Sequence, residues 1–171
     1  MTASTLRTER LLLRPPELRD ARVITKALND FAISRWLAVV PFPYGITDAE
    51  WFINENATGR FNARLIWAGE DFVGTIGLDT ELGYWLAQDQ WGKGYATEAG
   101  MAVLSDHFAD SDIDLVKSSH FVDNTSSRNV LEKLGFVDVG PHEHFSKARG
   151  CAVPGRSMEL TRARWEDTNL R

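Results

Sequence analysis

The hydrophobic positions change period along the chain, and the changes mark out short strands and amphipathic helices. Arg10-Leu-Leu-Leu-Arg14 is an apolar run closed by Pro15-Pro16, the form of a strand ended by residues that cannot donate to a ladder. From Glu17 onward, Leu18, Ala21, Ile24 and Leu28 recur every three or four positions, which predicts an amphipathic helix stopping near Asn29-Asp30. A shorter helix is expected over residues 31–37. Pro41-Phe-Pro-Tyr-Gly45 then breaks the pattern, and Thr47-Asp-Ala-Glu50 has the form of a capping box opening a helix that reaches about Asn56. Beyond it, residues 61–68 and 72–78 are strand-like runs joined at Gly69-Glu70, and a turn at Asp79-Thr80 leads into a strand over 81–86. This is an antiparallel meander. Gly83, inside its last strand, marks a bulge, a close approach of backbone to ligand, or a small-residue packing site.

In the second half, Ala96, Ala99, Gly100, Val103 and Leu104 stand at helical spacing, predicting a helix that ends near Phe108. An acidic turn over 110–114 precedes a strand over 115–122. A capped helix follows from Asp123, with Gly135 at its exit. The remainder is expected as a strand over 136–139, an irregular stretch through Gly150-Cys-Ala-Val-Pro-Gly155, and a final strand over 156–161. No internal repeat or low-complexity tract interrupts this order.

The stretch between the strand at 82–86 and the following helix carries the clearest chemistry. Gly92 and Gly94 allow a tight turn and close approach of a ligand, and the first N–H groups of the helix have no internal partner. Such an end is an anion site. A dinucleotide fingerprint would need glycine at position 97, which is Thr97, and the nucleotide P-loop has a different spacing. The block Trp91-Gly-Lys-Gly-Tyr-Ala-Thr-Glu-Ala99 instead resembles the pyrophosphate arm of the GNAT superfamily of N-acetyltransferases, with Trp91 in place of the usual Gln or Arg. In this it is similar to the Rim-type branch, which includes ribosomal-protein N-terminal acetyltransferases. Asn124-Thr-Ser-Ser127, followed by Val130-Leu-Glu-Lys-Leu-Gly-Phe136, resembles the second GNAT signature.

The resemblance spans residues 8–165 and implies a three-layer α/β (α+β) fold with a mixed, mostly antiparallel sheet of six or seven strands flanked by helices. The strands over 81–86 and 115–122 are expected to splay into a V that admits acetyl-CoA as cosubstrate. Trp85 and Leu86 then meet its pantetheine, and Trp91, Gly92, Lys93, Gly94, Tyr95, Ala96 and Thr97 its pyrophosphate, with Asn124 and Ser127 completing the set. The implied reaction is direct acetyl transfer to a primary amine, on a peptide N-terminus or a small molecule. The tyrosine that protonates the departing thiolate in many GNAT enzymes falls on Leu131. Ser127 shares a helical face with Val130, Leu131 and Leu134 and is the natural substitute, unless it is a first-turn serine satisfying a backbone group. Asn124 is equally suited to be an N-cap. As general base, Glu81 opens the strand that lines the gap and could act through water; the alternative is a surface glutamate at a hairpin end. Glu98 is a second candidate, though its place in the first helical turn also suits the helix dipole. The helices before residue 57 form a wall of the acceptor groove in the family, where Trp36, Phe42, Tyr44 and Trp51 are expected chiefly as core.

Composition narrows the class further. A chain of 171 residues suits one domain, here the whole of 1–171, and 43% hydrophobic residues with 6 Trp and 9 Phe can build a substantial core. No run approaches a membrane span, no apolar leader is visible, and the one cysteine, Cys151, cannot form an internal disulfide; a soluble cytoplasmic protein, monomer or homodimer, is expected. A net charge of −5 opposes nonspecific binding to nucleic acid or anionic membrane and does not repel a cationic amine. His142 and His144 would lie on one side of an extended segment, but without further clustered ligands no metal is expected and they are better placed to line the acceptor groove. Cys151 has no base partner for covalent catalysis. A non-catalytic acyl-CoA sensor or assembly module of the same fold is the alternative, because binding needs the glycine loop as much as turnover does. No acceptor code is visible.

Overall fold

The computed structural model describes residues 3–109 and 112–169, so the expected acidic turn lies partly outside the described residues, at Asp110 and Ser111. Two short strands, β1 (Leu6–Arg7) and β2 (Leu12–Arg14), form a hairpin where one strand over 10–14 was expected. A two-residue strand carries no period of its own. A 3-10 turn at Leu18–Asp20 leads into α1 (Ala21–Leu28), followed by α2 (Phe31–Ser34) and α3 (Ile46–Ala57). The expected capping box is displaced. Gly45 is the N-cap, and Asp48 Oδ2 accepts its N–H at 2.8 Å; Gly45 has no side chain to return the bond, so only half of the reciprocal pair exists.

The meander follows as β3 (Ala63–Ala68), β4 (Asp71–Leu78) and β5 (Leu82–Leu86), giving an antiparallel sheet in the order β1-β2-β3-β4-β5. Then come α4 (Tyr95–Phe108), β6 (Leu115–Phe121), α5 (Thr125–Lys133), β7 (Val137–Ser146), β8 (Cys151–Thr161) and α6 (Arg162–Asn169). A second antiparallel sheet has the order β6-β8-β7. The five and three strands together exceed the six or seven expected. The largest correction is here. The stretch expected to be irregular is a long hairpin running in register from Ser146↔Cys151 to Val137↔Glu159, with one shift between Asp138 and Gly140. Gly140, Pro141 and Pro154 hide the alternation. Pro154 is tolerated because its carbonyl accepts Val122 N–H at 3.0 Å, which turns its missing donor toward the end of β6, where the ladder has stopped. The helix α6 was not expected; Trp165 anchors it by stacking on Phe108 at 5.7 Å.

Two apolar clusters fix the layers. Leu13, Ile66, Ile76, Leu82, Leu104, Leu131, Leu134, Met158 and Leu160 join both sheets to α4 and α5 on one side. Ile24, Leu28, Ile33, Tyr44, Ile53 and Leu65 seat α1, α2 and α3 on the other face of the first sheet. Among the described residues no helix is long and apolar enough to cross a membrane.

Between the sheets, β5 and β6 meet at one end. Glu81 makes an isolated parallel bridge with Lys117, and Ser118 Oγ donates to the Leu82 carbonyl at 2.8 Å. Beyond this vertex no ladder joins them, and the strands form the expected fork. Glu81 is therefore the bridge residue ahead of β5 rather than its first member. The β4–β5 register passes through Gly77↔Gly83 without a break, so Gly83 is not a bulge, and a Cβ there would meet nothing within 4 Å, so it is not a packing site. Its backbone faces open space. Gly74 is the opposite case: at φ +156° in β4, its Cβ would lie 2.1 Å from the Trp85 carbonyl oxygen. Replacing each glycine by alanine should separate the two. Gly74→Ala is expected to lose about 2–5 kcal/mol of stability from backbone strain and overpacking, whereas Gly83→Ala should stay within about 1 kcal/mol of the parent. Denaturant unfolding measures both.

Candidate functional site

The glycine loop takes the form its sequence implies. A 3-10 turn at Gln88–Gln90 follows β5, and Gly92 and Gly94 then adopt left-handed φ of +74° and +80°, with Gly94 as the N-cap of α4. A Cβ on Gly92 would meet nothing within 4 Å, and one on Gly94 only Arg10 Nη2 at 3.5 Å. The side of the loop where a side chain would project is therefore open, while the N–H groups of Tyr95, Ala96 and Thr97 precede the first helical hydrogen bond, from Glu98 N–H to Gly94 O at 3.1 Å. Trp91 leaves its ring partly exposed and donates its indole N–H to Leu86 O at 2.9 Å, and Lys93 Nζ donates to Gln90 Oε1 at 3.0 Å.

Two residues that sequence reasoning missed brace this loop. Arg10 Nη1 donates to Lys93 O at 3.0 Å, its guanidinium lies 4.7 Å from the Tyr95 ring centroid, and it pairs with Glu98 Oε2 at 2.7 Å. Thr8 Oγ1 donates to Glu98 Oε1 at 2.6 Å, and Arg10 N–H donates to the same oxygen at 3.0 Å. Glu98 is thus committed to holding the first hairpin against α4. Burial alone would raise its pKa, but the hydrogen bonds from Thr8 and Arg10 outweigh burial and hold it below the usual carboxylate value. A carboxylate so held is a poor base. Nothing local in the sequence signals a pairing across some ninety residues.

Inside the fork, Asn124 Oδ1 accepts Ser127 N–H at 3.1 Å, which makes Asn124 the N-cap of α5. Ser127 is not the cap. Its Oγ lies 2.9 Å from the Tyr84 hydroxyl, and that hydroxyl donates to the Ser127 carbonyl at 3.1 Å. Burial pushes Tyr84 up to about 12, with the Ser127 bond pulling the other way. Leu131 is fully buried in the core, one turn beyond Ser127. Tyr84 was missed; its signal was a polar tip on the strand face that also carries Leu82 and Leu86.

The face of the second sheet turned away from α4 and α5 forms the other side of the fork. Ser119, Ser157 and Gly140 stand in register across β6, β8 and β7, and these small residues floor a cavity of about 300 Å³ edged by Glu81, Lys117, Glu159 and His142. His142 and His144 do share one side of β7, with ring centroids 3.7 Å apart. Burial lowers the His144 pKa, neighbouring His142 adds to this, and Glu81 opposes both. Among the described residues no group of three or more His, Cys, Asp or Glu is placed to hold a metal. At the far end, the Arg149 guanidinium lies 4.9 Å from the Trp36 ring and 5.0 Å from Phe121, and it pairs with Asp123 at 3.0 Å. Of the aromatics expected as core, Tyr44 is buried and Trp36 partly so, but Phe42 and Trp51 are exposed. Cys151 is exposed at the β7–β8 turn.

Comparison with known proteins agrees with this geometry. Residues 10–137 match the family described as an acetyltransferase (GNAT) domain. The chain is 35% identical to YdaF of Bacillus subtilis (strain 168), provisionally named a ribosomal N-acetyltransferase, over 89% of this chain and 88% of that protein. It is 29% identical to the uncharacterized N-acetyltransferase p20 of Bacillus licheniformis, over 87% of this chain and 91% of that protein. Its fold is similar to that of Mycobacterium smegmatis RimJ, solved in complex with CoA-disulfide, with a TM-score of 0.77, 22% identity, and coverage of 90% of this chain and 82% of that one.

The Glu98 brace has a pH signature. A folded pKa below the unfolded value of about 4.3 contributes stability that is fully present above that pH and is lost as pH falls through the folded value. Glu98→Gln should therefore cost about 1 kcal/mol at pH 7, the figure being modest because Arg10 is 47% exposed and screened. The gap between parent and variant should close as pH drops from about 5 toward 3. Urea titrations of both proteins across that range measure it, and a gap independent of pH would show that the carboxylate charge is not what holds the hairpin.

Proposed function

The chain belongs to the GNAT acetyltransferase family, and on that premise we propose which of its residues carry out acetyl transfer from acetyl-CoA to an amine. The observation that carries this reading is the pair of left-handed glycines that delivers the open amides of α4 beside an unpaired gap between β5 and β6. Tyr95, Ala96 and Thr97 N–H groups, with Gly92, Lys93 and Gly94, hold the pyrophosphate; Trp91 flanks it. The backbone of Trp85 and Leu86 and the side chains of Asn124 and Ser127 face the pantetheine arm. Bound acetyl-CoA supplies an activated acyl thioester. The protein's task is then to orient an amine, accept a proton from its ammonium form and stabilise the leaving sulfur.

Ser127 is our candidate donor to that sulfur. On the acceptor side, Glu81 at the vertex is the candidate proton acceptor through water, with the neutral imidazole of His144 nearby. The lowered pKa of His144 makes it a weak base. An α-amine, with a pKa of about 7.7–8.0, is about one-tenth free at pH 7, whereas a lysine near 10.4 is almost wholly protonated. Such a site suits an α-amine, on a peptide N-terminus or a small molecule. We infer that the protein acts as one soluble cytoplasmic domain, monomer or homodimer, with no nucleic-acid or membrane partner.

Acetyl-CoA at about a hundred times its Kd should raise the melting temperature by about 5–10 °C, and ATP or NAD should not. Gly94→Glu, which puts a charged side chain into the cradle, should remove that shift while the protein still unfolds cooperatively. Stabilisation by ATP equal to that by acetyl-CoA would sink the reading. Acetyl-CoA consumption screened across peptide N-termini, amino acids and other amines identifies the acceptor. With it in hand, Ser127→Ala should lose about tenfold to a hundredfold in kcat at nearly unchanged CoA affinity, because the bond strengthens as charge develops on sulfur. A variant with parental turnover and only lower heat stability would return Ser127 to a structural role.

A further inference from the structure

Two hydroxyls face each other across the fork, and their protons can be counted. The Tyr84 phenolic oxygen lies 2.9 Å from Ser127 Oγ and 3.1 Å from the Ser127 carbonyl oxygen. The carbonyl can only accept. If Tyr84 donates to it, the pair is completed by Ser127 Oγ donating to Tyr84. If Tyr84 donates to Oγ instead, the Ser127 proton is released from the pair and is free for another acceptor. Concerted rotation of the phenolic O–H and the serine O–H interconverts the two arrangements. The backbone need not move, because Asn124 holds the Ser127 N–H in both. With burial raising it to about 12, Tyr84 also remains a protonated donor throughout the neutral range.

We propose that Tyr84 is a positioning residue that turns its proton from the Ser127 carbonyl to Ser127 Oγ when the thioester sulfur enters the fork, aiming the serine hydroxyl at that sulfur. This rests on the reading of Ser127 as the sulfur's hydrogen-bond donor. No covalent bond forms or breaks within the pair. The phenol keeps its proton, the serine keeps its own, and the leaving thiolate takes its proton from solvent, since a phenol near 12 is a far weaker acid than a thiol near 8.5. The chain of two donors strengthens the final bond to sulfur, because each hydrogen bond polarises the next.

The test is a double-mutant cycle on the full protein: parent, Tyr84→Phe, Ser127→Ala and the double variant, with kcat, the KM for acetyl-CoA and the melting temperature measured for each. Tyr84→Phe should lower kcat about threefold to tenfold in the parent, leave KM within about twofold, and lower kcat no further when Ser127 is alanine. An equal loss in both backgrounds would mean that Tyr84 acts on its own or only by packing, and no loss in the parent would mean that it does nothing for turnover; either overturns the proposal while leaving acetyl transfer intact. A parent that transfers no acetyl group to any amine would instead overturn the functional reading and this proposal with it. Should Tyr84→Phe fail to fold, 3-fluorotyrosine at position 84 keeps the packing and makes a stronger donor. It should raise kcat in the parent and not in Ser127→Ala, and an unchanged kcat in the parent overturns the proposal.

Discussion

The structure depends on two strands that do not pair. Backbone N–H and C=O groups are obligatory hydrogen-bonding groups, and adjacent parallel strands would ordinarily satisfy each other along their length. Here β5 and β6 meet at Glu81–Lys117 and at the Ser118–Leu82 bond, and then separate. The open edges are therefore held apart by something other than the ladder. The apolar cluster contributes to that, because Leu131 and Leu134 of the α5 segment are buried in one core with residues of α4 and of both sheets. Tyr84 adds a polar strut from β5 to the first turn of α5. Gly74, where a Cβ would not fit, lets β4 follow the backbone of Trp85 and Leu86 closely and so backs the β5 arm of the fork. The opening is thus built into packing rather than left to a missing strand.

What was legible in the sequence was local. The glycine loop, the helix it enters, the Asn124 cap and the β3–β5 meander all follow from residues within a few positions of each other, whose periodicity or turn chemistry survives without tertiary help. The hairpin β7–β8 was not legible, because Gly140, Pro141, Pro154 and Gly155 are breakers in isolation and become acceptable only beside a bulge or a strand end. Arg10 and Thr8 were invisible as parts of the site for a different reason. Their role is a side-chain network to Glu98 across the fold, and no spacing rule links residues so far apart. Tyr84 stood in plain view within the strand but is given meaning only by Ser127, forty-three positions later.

Charge explains why the two sides of the fork can serve different ligands in one net-negative protein. At physiological salt the Debye length is about 8 Å, so a coenzyme phosphate responds to what lies within a turn of helix rather than to the overall charge of −5. Near the loop, the local groups are the α4 N-terminus and Lys93, and the Glu98 charge is offset by its ion pair with Arg10. The pairing with Arg10 thereby lets the Glu98 carboxylate sit in the first turn of α4 without cancelling the field of the helix N-terminus. The cavity on the second sheet carries a weaker, opposite bias, with Glu81 and Glu159 against the cation Lys117 at its edge and the His142–His144 pair on the β7 side. On the proposed reading, an anion on one face and an ammonium on the other are drawn to the same opening from opposite directions, and the unpaired stretch between β5 and β6 is where the two would meet.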